Sequence, residues 1–354
     1  MDPRSLPAPR PGEPGGIDPR ALASYYSYPR QYDGAGISIA LICLYGGYRR
    51  SDLETYFAAA GQPVPAIEDV AVGGARNDPA DDPDANVEVT LDLEILGSVA
   101  PGARLVAYFA GNNEQGITDG LAQAIFDAER EISVVCLTWC IPESQAGGML
   151  EPAVASLIED AAAMGKTVCA PSGSSGPGEE PYFPGTSPYV LSCGATVAVP
   201  AGSGFAEAPE ATGDRPAASR LYQRPGWQVQ AAGPAGGRTS GRLIPDVSCL
   251  AGGALGYRCY ANGGWLSVAG PGVAACMWAG LLARFNQALG RPWGMTSDLY
   301  TVLGPAGALA PAGGTAEAAR PGWEAGTGWG TPDGERLLAV LQDPRRARPG
   351  RRGR

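Results

Sequence analysis

Two carboxylates four residues apart, Glu88 and Asp92, are the residues whose types and spacing point most directly to chemistry. On a helix that spacing stacks both on one face. Two close carboxylates resist ionising together, so one pKa rises and a shared proton can serve acid/base work. The same E-x-x-x-D spacing also fits a solvated helix face, and the residues alone leave both readings open. Glu94 points to a different face and reads as structural or solvated. A second stretch, Leu266–Gln287, sets Ala269-Gly270-Pro271-Gly272 before an apolar run in which Met277, Leu281, Leu282 and Phe285 share a helical face. A glycine turn feeding a buried helix is how several hydrolases present a nucleophile beside free N–H groups that hold an oxyanion. The chain contains no histidine, which excludes Ser-His-Asp and Cys-His mechanisms. Its eight cysteines form no CxxC pair, so neither a zinc site nor any other metal centre is expected. Most of them read as small buried core residues. Cys249 and Cys259 flank a short loop and could pair, although a reducing cytoplasm would oppose it.

These residues need elements to position them. The chain has 354 residues, 44% hydrophobic and 18% charged, enough for a sizeable core. Short apolar runs at 36–43, 104–109, 132–139, 167–171 and 189–194 read as buried strands, and 64–75 as an extended stretch. Helical patterns fall at 19–32, 51–61 (with Ser51 as N-cap), 87–98, 116–131, 151–164 and from Val273 onward. The alternation predicts an α/β fold, a mostly parallel sheet with helices on both faces. Residues 197–241 are rich in loop formers and resist assignment. The expected organisation is a disordered N-terminal segment 1–17, one domain over 18–342, and a disordered basic tail 343–354. A net charge of −10 argues against nucleic acid as a partner. No apolar run approaches the ~20 residues of a membrane span. The N-terminus lacks a signal-peptide core, so the expectation is a cytoplasmic protein without a membrane partner.

Several segments, in order, resemble the sedolisins, the serine-carboxyl peptidases. Glu88–Tyr108 matches the family's Glu-x-x-x-Asp helix and following strand. Val134–Glu143 is similar to its Ser-x-Ser-Trp-Gly segment, and Thr167–Gly176 to the strand leading into Gly-Asp-Ser-Gly. Phe183–Thr196, Ile244–Tyr257 and Pro321–Pro332 follow the family's Phe-Pro-Ala-Ser-Ser-Pro-Tyr-Val, Pro-Asp-Val-Ser and Pro-Gly-Trp-Asp-Pro stretches. Leu266–Gln287 resembles the serine-bearing segment, Gly-Gly-Thr-Ser-Ala-x-x-Pro-x-Trp-Ala. The resemblance spans about residues 18–342 and implies a subtilisin-like fold with a Ser, Glu, Asp catalytic trio and a second Asp at the oxyanion site.

Carried over residue by residue, Glu88 and Asp92 fall on the catalytic carboxylates. Gly272 falls on the nucleophilic serine and Ser174 on the oxyanion aspartate, so both positions are degenerate. Cys43 stands where close relatives carry an acidic residue backing the carboxylate pair. Glu324 replaces a calcium-region aspartate, and the upstream part of that region has no counterpart near 301–319. The calcium site is therefore expected to be lost, no cofactor is expected, and the family's propeptide is expected to be missing. Trp139, Thr138, Ser172, Gly173, Ala269, Gly270 and Cys43 are the expected lining of the substrate cleft, and Gly272 is expected to leave extra room there. The resulting functional expectation is an enzyme without serine-peptidase chemistry. Its Glu88/Asp92 pair would act as general acid/base on a peptide or small-molecule biosynthetic substrate. The alternatives are a non-catalytic pseudopeptidase that binds a peptide-like ligand, and an acid endopeptidase with an unorthodox nucleophile.

Overall fold

The computed structural model describes residues 6–7, 15–148, 150–173, 180–201, 204–210, 217–229, 239–294, 296–312 and 322–343. Six strands form a parallel core. They are β1 (Ser38–Leu44), β2 (Ala66–Ala71), β3 (Arg104–Ala110), β4 (Ile132–Cys136), β5 (Thr167–Pro171) and β6 (Val190–Ala201). Their spatial order is β6-β5-β4-β1-β3-β2. Beyond β6 the sheet turns antiparallel with β7 (Gly204–Pro209), and Leu6–Pro7 adds a final short strand to β7. A further strand, β8 (Val247–Gly253), runs parallel to β6. The α/β fold with a mostly parallel sheet is therefore as the sequence implies. Two details differ. The segment expected to be disordered up to residue 17 contributes Leu6–Pro7 to the sheet, and Ile17 is buried and bridges to Tyr257. The unassigned stretch 197–241 holds all of β7 and the strand Ala217–Gln223, whose mixed residues show no clear apolar alternation.

Alternation along the strands sends side chains to two cores. From β1, Ile39, Leu41 and Cys43 face one layer while Ala40 and Ile42 face the other, the period-2 signature of a strand covered on both sides. The first face is covered by α1 (Pro19–Tyr25), α2 (Arg50–Ala60), α3 (Pro83–Val99) and α6 (Gly272–Leu289). The second is covered by α4 (Glu114–Phe126) and α5 (Leu150–Ala163). A hairpin of β9 (Tyr257–Ala261) and β10 (Gly264–Val268) leads into α6.

Helix α3 starts earlier than hydrophobic periodicity suggests, because Asp82 caps it through Asp84 N–H (2.9 Å) and Ala85 N–H (3.2 Å), with Pro83 in the first turn. Helix α2 begins at Arg50 after an Arg49 cap that makes no side-chain bond, so Ser51 is inside the helix instead of capping it. Helix α6 ends at Gly290, whose φ of +63° is the left-handed conformation that glycine adopts without strain. Two side chains pin α6 to the sheet. Trp278 Nε1 donates to the Ser248 carbonyl (3.1 Å) and Asn286 Nδ2 to Ser133 Oγ (3.3 Å). Among the described residues no helix is long and apolar enough to cross a membrane.

Candidate active site

The chain leaves β1, crosses to β2 and β3 on one side, then returns to β4 on the other. That reversal opens a crevice beyond the carboxyl ends of β1 and β4, the usual ligand position in open α/β sheets. Thr138 and Trp139 follow β4 into this crevice, α6 presents Gly272 to it, and α3 brings in Asp92.

The two carboxylates occupy different depths. Asp92 is 5% exposed, whereas Glu88, one turn earlier on α3, is exposed at the rim. The Cys276 thiol donates to Asp92 Oδ1 (3.3 Å), and the Thr138 hydroxyl also bonds the Asp92 carboxyl. Burial pushes Asp92 up to about 7, with the nearby Glu88 charge adding to the rise against those two bonds. The protein around Glu88, with the Asp82 carboxylate next to it, moves its carboxyl up as well. Glu94 is not solvated. It is fully buried, both its oxygens accept from Tyr260 N–H (3.2 Å each), and burial raises it to about 9. It is a neutral structural acid at physiological pH.

Gly272 does not leave room. A Cβ on it would lie 2.8 Å from the Thr138 carbonyl oxygen and 2.9 Å from Thr138 Cβ. Side-chain carbons do not approach carbonyl oxygens that closely, so the chain after β4 already occupies the space that a residue with a side chain would need. Two of the amides around the turn are also committed. Gly270 N–H donates to the Ala251 carbonyl (3.1 Å) and Val273 N–H to the Gly270 carbonyl (3.3 Å). Helix α6 has no side-chain cap, since Pro271 in the cap position offers no oxygen.

Of the other expected lining residues, Ala269 is exposed and Gly270 partly so, and Ala269 lies over Gly252. Trp139 is half buried, packed toward the core under α4 and α5, and its Nε1–H has no partner among the described residues. Ser172 is partly exposed and donates its N–H to the Cys193 carbonyl (2.9 Å). Gly173 is buried at φ +90°, and Tyr182 fills the space beside it. Cys43, expected at the cleft, lies in the core instead at 3% exposure, because its place on β1 points it into the α3/α6 layer. Ser174 lies outside the described residues. Cys249 and Cys259 are both buried free thiols, not a pair.

Sequence reasoning did not see that Cys136 and Cys276 touch, Sγ to Sγ 3.6 Å, beneath Asp92. The signal was available in the strand alternation, which turns Cys43, Cys136, Cys169 and Cys193 to the same face from neighbouring strands. In the region that resembles a calcium site, Glu324 is exposed and its backbone exchanges hydrogen bonds with Gly328 (2.8 and 2.9 Å). Among the described residues no three Asp, Glu, His or Cys side chains gather as a cation site, and residues 313–321 are outside that set.

No protein-family model matches the chain. Kumamolisin of Bacillus sp. (strain MN-32) is 36% identical over 309 residues, 82% of this chain and 56% of kumamolisin. Sedolisin of Pseudomonas sp. (strain 101) is 26% identical over 163 residues, 44% of this chain and 27% of sedolisin. The chain thus spans little more than half the length of the first and about a quarter of the second. Among solved structures, Pseudomonas sedolisin, a serine-carboxyl proteinase complexed with two molecules of pseudo-iodotyrostatin, superposes with a TM-score of 0.78. It shares 23% identity, over 94% of this chain and 100% of that one. A lanthipeptide protease shares the fold at a TM-score of 0.57 and 13% identity, over 90% of this chain and 92% of that one. Kinship in sequence and likeness in fold make this chain a sedolisin-like protein, a homologue of the sedolisin-family peptidases.

Proposed function

We propose that this sedolisin-like chain does not use serine-peptidase chemistry and that its carboxylate pair performs acid/base work on a peptide or small-molecule substrate. The observation that carries the first half is the Gly272–Thr138 contact. Position 272 has no hydroxyl, and the Thr138 carbonyl stands 2.8 Å from where even a Cβ would begin. Without an Oγ no acyl-enzyme forms there, and losing a nucleophile costs several orders of magnitude in rate. The second half is supported by Asp92. Burial holds it at about 7, where a carboxyl both takes and returns a proton near neutral pH, and Glu88 stands one turn above it at the rim. One observation favours the second reading, a binding pseudopeptidase: the Asp92 carboxyl already accepts from Cys276 and Thr138 and is 5% exposed.

The test is incubation of a mixed peptide library with wild type, Glu88→Gln and Gly272→Ser, from about pH 3 to 8, the range over which a coupled carboxylate pair titrates. Products are read by mass spectrometry. The expected result is no hydrolysis by wild type or by Gly272→Ser, because the restored side chain collides with Thr138. Adding Thr138→Gly to Gly272→Ser removes the Thr138 Cβ but leaves its carbonyl oxygen in the way, so that double variant is expected to remain without hydrolysis as well. Wild-type cleavage that disappears in Glu88→Gln would overturn the proposal. Mass-neutral or water-loss products that vanish in Glu88→Gln support acid/base catalysis. Library peptides retained equally by wild type and Glu88→Gln, with no product from either, favour the binder.

A further inference from the structure

Under the cleft the core contains a row of thiols. Cys43, Cys136, Cys169 and Cys193 come from four neighbouring strands, β1, β4, β5 and β6, and all face α6. Cys276 on α6 sits over the row, 3.6 Å from Cys136 Sγ and 3.3 Å from Asp92 Oδ1. The two sulfurs are in direct contact while both thiols remain free. Of these five thiols, Cys276 alone is hydrogen-bonded to a carboxyl among the described residues. Cys193 Sγ is directed at the Leu191 carbonyl (3.4 Å) and Cys43 Sγ at the Leu41 carbonyl (3.9 Å).

We propose that Cys136 and Cys276 are a redox-active pair, oxidised by a hydroperoxide to a disulfide that ties β4 to α6, with Asp92 as the proton acceptor. Cys276 Sγ attacks one peroxide oxygen as its proton passes to Asp92. The O–O bond breaks, and the departing hydroxide takes that proton and leaves as water, so that Cys276 becomes a sulfenic acid. Cys136 Sγ then attacks the sulfenic sulfur, the S–O bond breaks, and hydroxide leaves with the Cys136 proton as a second water. The sum is two thiols and one hydrogen peroxide giving one disulfide and two waters. Two electrons pass from the sulfurs to the peroxide. Burial raises the Cys276 thiol well above its ordinary value, so the thiolate arises only as Asp92 takes its proton, and with both residues 0% exposed only a small neutral oxidant reaches the pair. The cross-link would join the strand that leads into Thr138 to the helix that begins at Gly272. Oxidation would thereby fix the contact that fills the nucleophile position and remove the thiol donor from Asp92. None of this depends on whether the cleft is catalytic.

The test treats the reduced full chain with hydrogen peroxide, blocks remaining thiols under denaturing conditions, and maps peptides without reduction. The expected result is the loss of two thiols and a cross-linked peptide pair containing Cys136 and Cys276. The cross-link is absent in Cys136→Ala and in Cys276→Ala, and forms about tenfold or more slowly in Asp92→Asn. Circular dichroism of each variant establishes that it is folded. A thiol count unchanged by peroxide overturns the proposal. So does a cross-link mapped to another pair, such as Cys169 with Cys193. An unchanged rate in folded Asp92→Asn overturns the role of the carboxyl.

Discussion

Asp92 shows how one buried side chain writes itself into the pH dependence of the whole fold. Its carboxyl sits at about 7, against an ordinary 3.8. The folded chain therefore holds this proton more tightly than the unfolded chain does. Between those two values the native state binds the extra proton, so stability falls as pH rises. The contribution is fully present below about pH 4 and is gone above about 7. Glu94, raised to about 9, adds a slope of the same sign that continues further upward. Asp92→Asn should flatten the fall between about pH 4 and 7, by an amount of order 1–4 kcal/mol, and leave the later slope in place. Urea melts across that range check it, and identical slopes in both proteins would remove Asp92 from the account. The spacing of Glu88 and Asp92 was legible in the sequence. Their different depths were not, because depth depends on Cys276 and Thr138 arriving from elements far along the chain. The same limit explains Glu94, whose partner Tyr260 lies on the hairpin.

At the scale of elements, the site depends on how closely α3 and α6 cross. Gly280 makes the crossing possible, since a methyl group there would run into Val99 Cγ2. One turn before Gly280, that proximity sets Cys276 against Asp92. Gly280→Ala should destabilise the protein by about 1–3 kcal/mol through overpacking. Val99→Ala in the same chain should recover part of the loss, the non-additivity expected of residues in contact. Thermal melts of the two single variants and the double close the cycle, and strict additivity would show that the crossing is not held at this point. The strands and helices themselves were readable from apolar runs and helical periodicity. Strand β5 falls on the predicted 167–171, and α6 starts one residue before the predicted Val273. The closeness of the crossing was not readable, because a glycine inside an apolar helix gives no hint of what approaches it.

At the scale of the molecule, a buried ion pair joins the sheet to the C-terminal part of the chain. Arg242 and Asp246 are both 0% exposed and 2.6 Å apart. Asp246 also accepts from Ser192 N–H (2.8 Å) on β6 and from the Tyr300 hydroxyl (2.6 Å). Asp246→Asn strands a buried guanidinium and should cost about 3–5 kcal/mol. Replacing both partners, as in Arg242→Met with Asp246→Leu, should cost less than removing one, and equal losses would argue against a paired role. Asp246 stands in a stretch that carries the family resemblance, yet its partner Arg242 adjoins the segment where patterning was weakest. The sheet's ends have a separate consequence. An open strand edge offers unpaired N–H and C=O groups to any passing chain. Here Leu6–Pro7, whose proline has no N–H to offer, covers the Gly204–Phe205 part of one edge, and the other edge is β2, which carries Glu68 and Asp69. Glu68 is neutralised by Arg130 (2.7 Å), and Asp69 accepts from Tyr48 (2.9 Å) and Asn77 (3.1 Å). By these features a chain with a nearly all-apolar central sheet is expected to resist stacking strand against strand with its copies, and removing residues 1–7 should raise its tendency to aggregate, as light scattering would read.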